Sequence, residues 1–140
     1  MADVRLAFVC VQNAGRSQMS TAFAERERDR RDLGDVVEIR TGGTRPADHV
    51  HGEVIDVMAE VGIDVSDRTP REISTAELDA CDHVATMGCS KLDLDATVDV
   101  RDWALDDPDG RDLDAVRAIR DEIEGRVVAL FDEVEETLDR

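Results

Sequence analysis

Val4-Arg-Leu-Ala-Phe-Val-Cys10-Val-Gln-Asn-Ala-Gly-Arg-Ser17 is the stretch on which the fold turns. Val4 to Val9 is a short apolar run, and it reads as a buried strand that ends at Cys10. Val11 to Gly15 reads as a loop. Ser17 is expected to be the N-cap of a helix from Gln18 to about Arg31. A strand followed by a tight loop and a helix is the opening of a βαβ unit.

The same alternation continues outward. Val36 to Thr41 reads as a second strand, closed by a turn at Gly42-Gly43. Val54, Ile55, Met58 and Val61 have helical spacing within His51 to Val61, and Gly62 stops that helix. Ser74-Thr75-Ala76-Glu77 begins a short capped helix. His83 to Met87 reads as a third strand and Val98 to Val100 as a fourth. Leu113 to about Leu138 is a long amphipathic helix with Val116, Ile119, Ile123, Val127, Leu130 and Val134 on one stripe. The expected fold is a three-layer α/β/α arrangement around a four-stranded parallel sheet, with residues 1–140 as a single domain.

Composition narrows the function. The chain has 140 residues, 41% of them hydrophobic, enough for a core without disulfide staples. Net charge is −17, from 34 acids against 17 basic residues, of which Lys91 is the only lysine. That balance repels nucleic acid and anionic membranes, so neither is an expected partner. The acids are spread along the chain, as on a surface adapted to high salt, where a Debye length of about 3 Å makes self-repulsion tolerable. No apolar run is long enough to span a bilayer, and Met1 to Arg5 carries no secretory pattern, so the expected location is cytoplasmic. The three cysteines, Cys10, Cys81 and Cys89, lack metal-ligand spacing, and their odd number leaves room for a reactive thiol.

Chemistry concentrates in Cys10 to Ser17, a Cys-x5-Arg-Ser turn. The backbone N–H groups of Val11, Gln12, Asn13, Ala14, Gly15 and Arg16 can curl into an anion nest at the positive end of the helix. Arg16 supplies a two-pronged grip on a tetrahedral oxyanion. The same field favours a thiolate at Cys10, a nucleophile aimed at the centre of the anion. Ser17 can donate a hydrogen bond to that thiolate. Asn13 tolerates left-handed backbone angles and can brace the loop. Thr44 and Arg45, just past the second strand, are candidates to border the pocket. His49 and His51 read as loop or helix-cap residues, His83 as a strand residue and Cys81 as a core residue.

The segment Cys10 to Met19 (CVQNAGRSQM) resembles the phosphate loop of the low-molecular-weight protein tyrosine phosphatase superfamily, and within it the arsenate reductase branch. Thr86-Met87-Gly88-Cys89 and Asp102-Trp103-Ala104-Leu105-Asp106-Asp107-Pro108 fit the same pattern, and the likeness extends over essentially the whole chain. The resemblance implies that Asp107 is the general acid, with Asp106 as substitute if the register differs by one, and that Cys89 is a resolving thiol. It implies no bound cofactor or metal. It does imply an external thiol reductant, a small thiol with a glutaredoxin-like or thioredoxin-like partner protein. The chain has no cysteine from Ser90 to Val100 and has Gly15 where thioredoxin-linked members often carry one. These departures resemble the members that use a small soluble thiol.

Two catalytic readings share this loop. One is arsenate reduction. The other is hydrolysis of a phosphomonoester, phosphotyrosine included, through a phosphocysteine. A third reading is a non-catalytic oxyanion sensor. The chain contains no tyrosine to wall a phosphotyrosine slot, which favours the reductase.

Overall fold

The computed structural model describes residues 3–87, 99–103, 105 and 111–138. Strand β1 (Val4–Cys10) lies in the middle of a four-stranded sheet. It pairs in parallel with β2 (Val37–Gly43) on one side and with β3 (His83–Met87) on the other. β3 pairs in parallel with β4 (Asp99–Asp102), giving the order β2-β1-β3-β4.

Successive β1 side chains face opposite sides of the sheet, and the two sides have different cores. Val4, Leu6, Phe8 and Cys10 join the main core with α1 (Arg16–Arg30), α2 (Gly52–Ala59) and α4 (Leu113–Leu138). Ala7 and Val9 join a smaller cluster with Ile73, Leu78, Cys81 and Val84, beneath α3 (Thr75–Asp79). This is the three-layer α/β/α arrangement the alternation predicts. A strand covered on both faces must be apolar throughout, which is why Val4 to Val9 carries no alternation apart from Arg5.

Several elements differ from expectation at their edges. Helix α1 starts at Arg16 with Gly15 as N-cap, so Ser17 lies inside the first turn and is not the cap. β2 runs on through Gly42 and Gly43, which therefore close no turn. A β-carbon on Gly42 would lie 2.3 Å from Cβ of Ile73, so the glycine is there for close approach of the 70–73 segment. β4 spans Asp99–Asp102; Val98 lies outside the described residues. Its pairing is set by β3, from His83 opposite Asp99 to Thr86 opposite Asp102, and three of its four residues are exposed. The stop after α2 is at Gly62, whose φ of 81° suits glycine. Ser74 caps α3 as expected, its hydroxyl accepting from the N–H of Glu77.

Ion pairs tie the helices together over this core. Arg31 on the end of α1 reaches Asp132 and Glu135 of α4. Glu60, just past α2, is gripped by Arg117 and Arg120 of α4. Most of the acidic partners are exposed, where solvent screens the attraction, so these pairs orient the helices more than they stabilise them.

Candidate active site

Cys10 is the last residue of β1 and points into the main core side, where only 3% of its surface remains accessible. Its Sγ lies 2.8 Å from Oγ of Ser17, and the N–H of Asn13 donates to it at 3.2 Å. Position 17 thus serves the sulfur directly from within the first turn of α1, rather than capping the helix. Asn13 adopts φ 52°, the left-handed conformation that the loop needs to turn back on its own sulfur.

The side chain of Asn13 sets the polarity of the whole cluster. Its Nδ2 donates to Oγ of Ser17 at 2.7 Å and to Oγ1 of Thr41 at 2.9 Å. Its Oδ1 accepts from Nε2 of Gln18 at 3.1 Å and from the N–H of Arg71 at 3.0 Å. Both donors and both acceptor sites of the amide are therefore occupied. Ser17 Oγ accepts from Asn13 and keeps its one hydrogen, which is within reach of Cys10 Sγ at 2.8 Å. The sulfur thus faces the N–H of Asn13 and the hydroxyl of Ser17, both able to donate to it. Thr41 Oγ1 in turn donates to the carbonyl of Phe8 at 3.2 Å, which anchors the chain of hydrogen bonds in β1.

Arg16 opens α1 at the positive end of the helix and is buried to 8% exposure. Its Nη1 donates to the carbonyl of Leu105 at 3.1 Å. Trp103, two residues earlier, packs on Phe8 of β1 with ring centroids 5.9 Å apart. The sequence-predicted loop residues Val11, Gln12, Asn13, Ala14, Gly15 and Arg16 are thus gathered around Cys10 between β1 and α1. Asp107 and its neighbour Asp106 lie outside the described residues, as does Cys89.

Four participants gave no clear signal in the sequence. Thr41 and Gln18 look like ordinary strand and helix polars, and Arg71 acts through its backbone. Gly43 was expected in a turn. A β-carbon there would fall 2.5 Å from the carbonyl oxygen of Val11 and 3.0 Å from the nitrogen of Asn13, so only glycine lets β2 pass behind the loop. Thr44 and Arg45 do border the loop, with their backbones against its outer side.

The remaining candidates lie elsewhere. Cys81 is buried below α3 with its Sγ 3.5 Å from the carbonyl of Glu77, and burial pushes its thiol pKa up. It sits at the other end of the sheet, about 20 Å from Cys10 by strand rise. His83 opens β3 and pairs with Asp99 at 3.0 Å. His51 is the N-cap residue of α2, as its position suggested. No helix among the described residues is long and apolar enough to cross a membrane.

Known proteins share this architecture. The family model described as low molecular weight phosphotyrosine protein phosphatase matches residues 5–140. A relative from Halobacterium salinarum, named "Putative arsenate reductase", is 75% identical over 130 residues, covering 92% of each chain. The glutaredoxin arsenate reductase of Synechocystis is 34% identical over 132 residues, covering 91% of this chain and 95% of its own. The solved thioredoxin-dependent arsenate reductase of Corynebacterium glutamicum superposes with a TM-score of 0.81 at 31% identity. That match covers 97% of this chain and 64% of the longer one.

Proposed function

We propose that this chain, which belongs to the low molecular weight phosphotyrosine protein phosphatase family, is an arsenate reductase with Cys10 as its nucleophile. The observation that carries the reading is the 75% identity to the Halobacterium relative, held over 92% of both chains. The arrangement of Cys10, Asn13, Arg16 and Ser17 supports the reading.

Arsenate enters the loop, where the N–H groups of residues 11–16 and the guanidinium of Arg16 bind its oxygens. The Cys10 thiolate attacks arsenic, and one arsenate oxygen leaves as water after taking a proton from Asp107. The product is a Cys10–arsenic(V) thioester-like adduct. A second thiolate then attacks Sγ of Cys10. The electron pair of the sulfur–arsenic bond stays on arsenic, which departs as arsenic(III) in arsenite. Cys10 is left in a disulfide. Cys89 or a small external thiol supplies that second sulfur, and a glutaredoxin-like or thioredoxin-like protein returns the disulfide to thiols. Ser17 serves both ends of the cycle, stabilising the Cys10 thiolate before attack and again once the disulfide has been reduced. In this reading residues 1–140 act as one domain in the cytoplasm, where thiol reductants are kept reduced.

The family description itself favours one alternative, a phosphatase that hydrolyses a phosphocysteine at the same Cys10. A single-turnover assay in molar KCl separates the two. Arsenate with a small thiol and a glutaredoxin-type coupling system should yield arsenite, and Cys10→Ser should abolish it. Hydrolysis of p-nitrophenyl phosphate without thiol should be slow. Fast ester hydrolysis with no arsenite would transfer the protein to the phosphatases.

A further inference from the structure

An anion nest needs its carbonyls turned away from the anion, and something must hold them there. In a trans peptide the C=O of one residue and the N–H of the next point in opposite directions. Each loop carbonyl tied outward therefore aims the following N–H inward.

Every carbonyl from Cys10 to Gly15 is tied. Two ties come from α1 itself: Gln18 Nε2 donates to the carbonyl of Asn13 at 3.0 Å, and the N–H of Met19 to that of Gly15 at 3.0 Å. The other four come from one segment, residues 44–51, between β2 and α2. Thr44 N–H donates to the Cys10 carbonyl at 3.3 Å and Arg45 N–H to Val11 at 2.8 Å. Ala47 N–H donates to Gln12 at 2.9 Å and His51 N–H to Ala14 at 2.9 Å. The consequence is visible at one point inside the loop. With the Gln12 carbonyl held by Ala47, the N–H of Asn13 points at Sγ of Cys10. Gly43, which admits no side chain beside Val11, brings this segment close enough to make the ties.

The geometry points to residues 44–51 as a positioning strap that presets the loop for an oxyanion, with the backbone N–H of His51 as its far anchor at the start of α2. The inference rests on the proposed oxyanion chemistry at Cys10 and adds the groups that shape its binding site from behind. None of these groups touches the anion. They act by fixing the peptides that do, so the loop spends no binding energy on reorganising when the anion arrives.

His51 offers a test, because its φ of −61° is one that proline adopts. His51→Pro removes the single N–H that holds the Ala14 carbonyl, and His51→Ala removes the imidazole but keeps that N–H. Inorganic phosphate is the probe, by calorimetry. The His51→Pro dissociation constant should exceed the His51→Ala value about tenfold, the scale of one charge-assisted hydrogen bond. The pH profile of Cys10 alkylation by iodoacetate should shift upward in His51→Pro alone. Equal constants and superimposed profiles in two folded variants would overturn the strap. If His51→Pro does not fold, amide hydrogen exchange on the unmodified protein decides. Protection at Arg45, Ala47 and His51 comparable to that of β1 supports the strap, and exchange at the rate of the exposed turn at 34–35 overturns it. An unmodified protein that binds no phosphate and makes no arsenite would instead fell the proposed function, and the exchange rates would still judge the strap.

Discussion

Cys10 and Cys81 are buried to nearly the same degree, with 3% and 4% of their surfaces accessible, yet their surroundings differ in kind. Cys81 lies among Ala7, Val9, Ile73, Leu78 and Val84, and its sulfur rests against an acceptor, the carbonyl of Glu77. Such a site favours the neutral thiol, and burial pushes its pKa up accordingly. Cys10 instead receives the N–H of Asn13 and lies against the hydroxyl of Ser17, which is able to donate, at the end of a strand that meets the start of a helix. Burial alone therefore says little about a cysteine. What matters is whether the buried neighbours offer hydrogens or lone pairs.

The contrast can be broken most directly by labelling. Iodoacetate at pH 8 should modify Cys10 at least about a hundredfold faster than Cys81, as followed by peptide mass mapping, and phosphate should protect Cys10. Equal rates would erase the distinction. A comparable loss is expected at Gly43→Ala. The added methyl must displace Val11 or Asn13, and displacements of about 1 Å at a site cost up to about a hundredfold in kcat/KM. Wild-type turnover in that variant would show that the loop tolerates movement. Cys81→Ala sharpens the comparison from the other side: turnover should be unchanged, with stability reduced by about 1 kcal/mol in urea unfolding.

The smallest effect lies away from both cysteines. The Arg117 guanidinium, with Arg120 behind it, holds the Glu60 carboxyl at about 2 against an ordinary 4.5. A carboxyl with a depressed folded value stabilises the protein above its unfolded value and loses that contribution as pH falls toward the folded one. Urea midpoints for wild type and Glu60→Gln should therefore differ at pH 6 and converge as pH drops from about 4.5 to 2, with the gap narrower in molar salt. A gap that persists at pH 2 would assign it to packing.

Legibility followed the source of each constraint. α4 was readable at Leu113–Leu138 because its stripe of apolar residues faces one core, and β3 at His83–Met87 because it is buried almost throughout. The Cys10, Asn13, Arg16 and Ser17 grouping was equally plain, since one short loop carries all four. Ser17 misled as a cap because a serine before a helical segment has the same local signature whether it bonds the backbone or a sulfur. Arg16 to Ala24 are all buried between sheet, loop and α4, so α1 shows little of the apolar–polar contrast that marks a helix start. Gly42 and Gly43 misled because close approach and turning both select glycine. β4 runs two residues past the expected end at Val100, because Arg101-Asp102 has no strand signal of its own and β3 imposes the pairing. Thr41, Gln18 and Arg71 converge on Asn13 only in three dimensions.

Trp103 is the single tryptophan of the chain. It packs at a tilt against Phe8 of the strand that carries Cys10, with the Arg126 guanidinium 6.0 Å over its ring, and it lies two residues from the carbonyl held by Arg16. The protein thus contains its own optical probe within the wall of its candidate site. With no tyrosine to contribute background, ultraviolet emission comes from one indole whose neighbours are known, and stopped-flow fluorescence can time each encounter with an oxyanion without a label or a mutation.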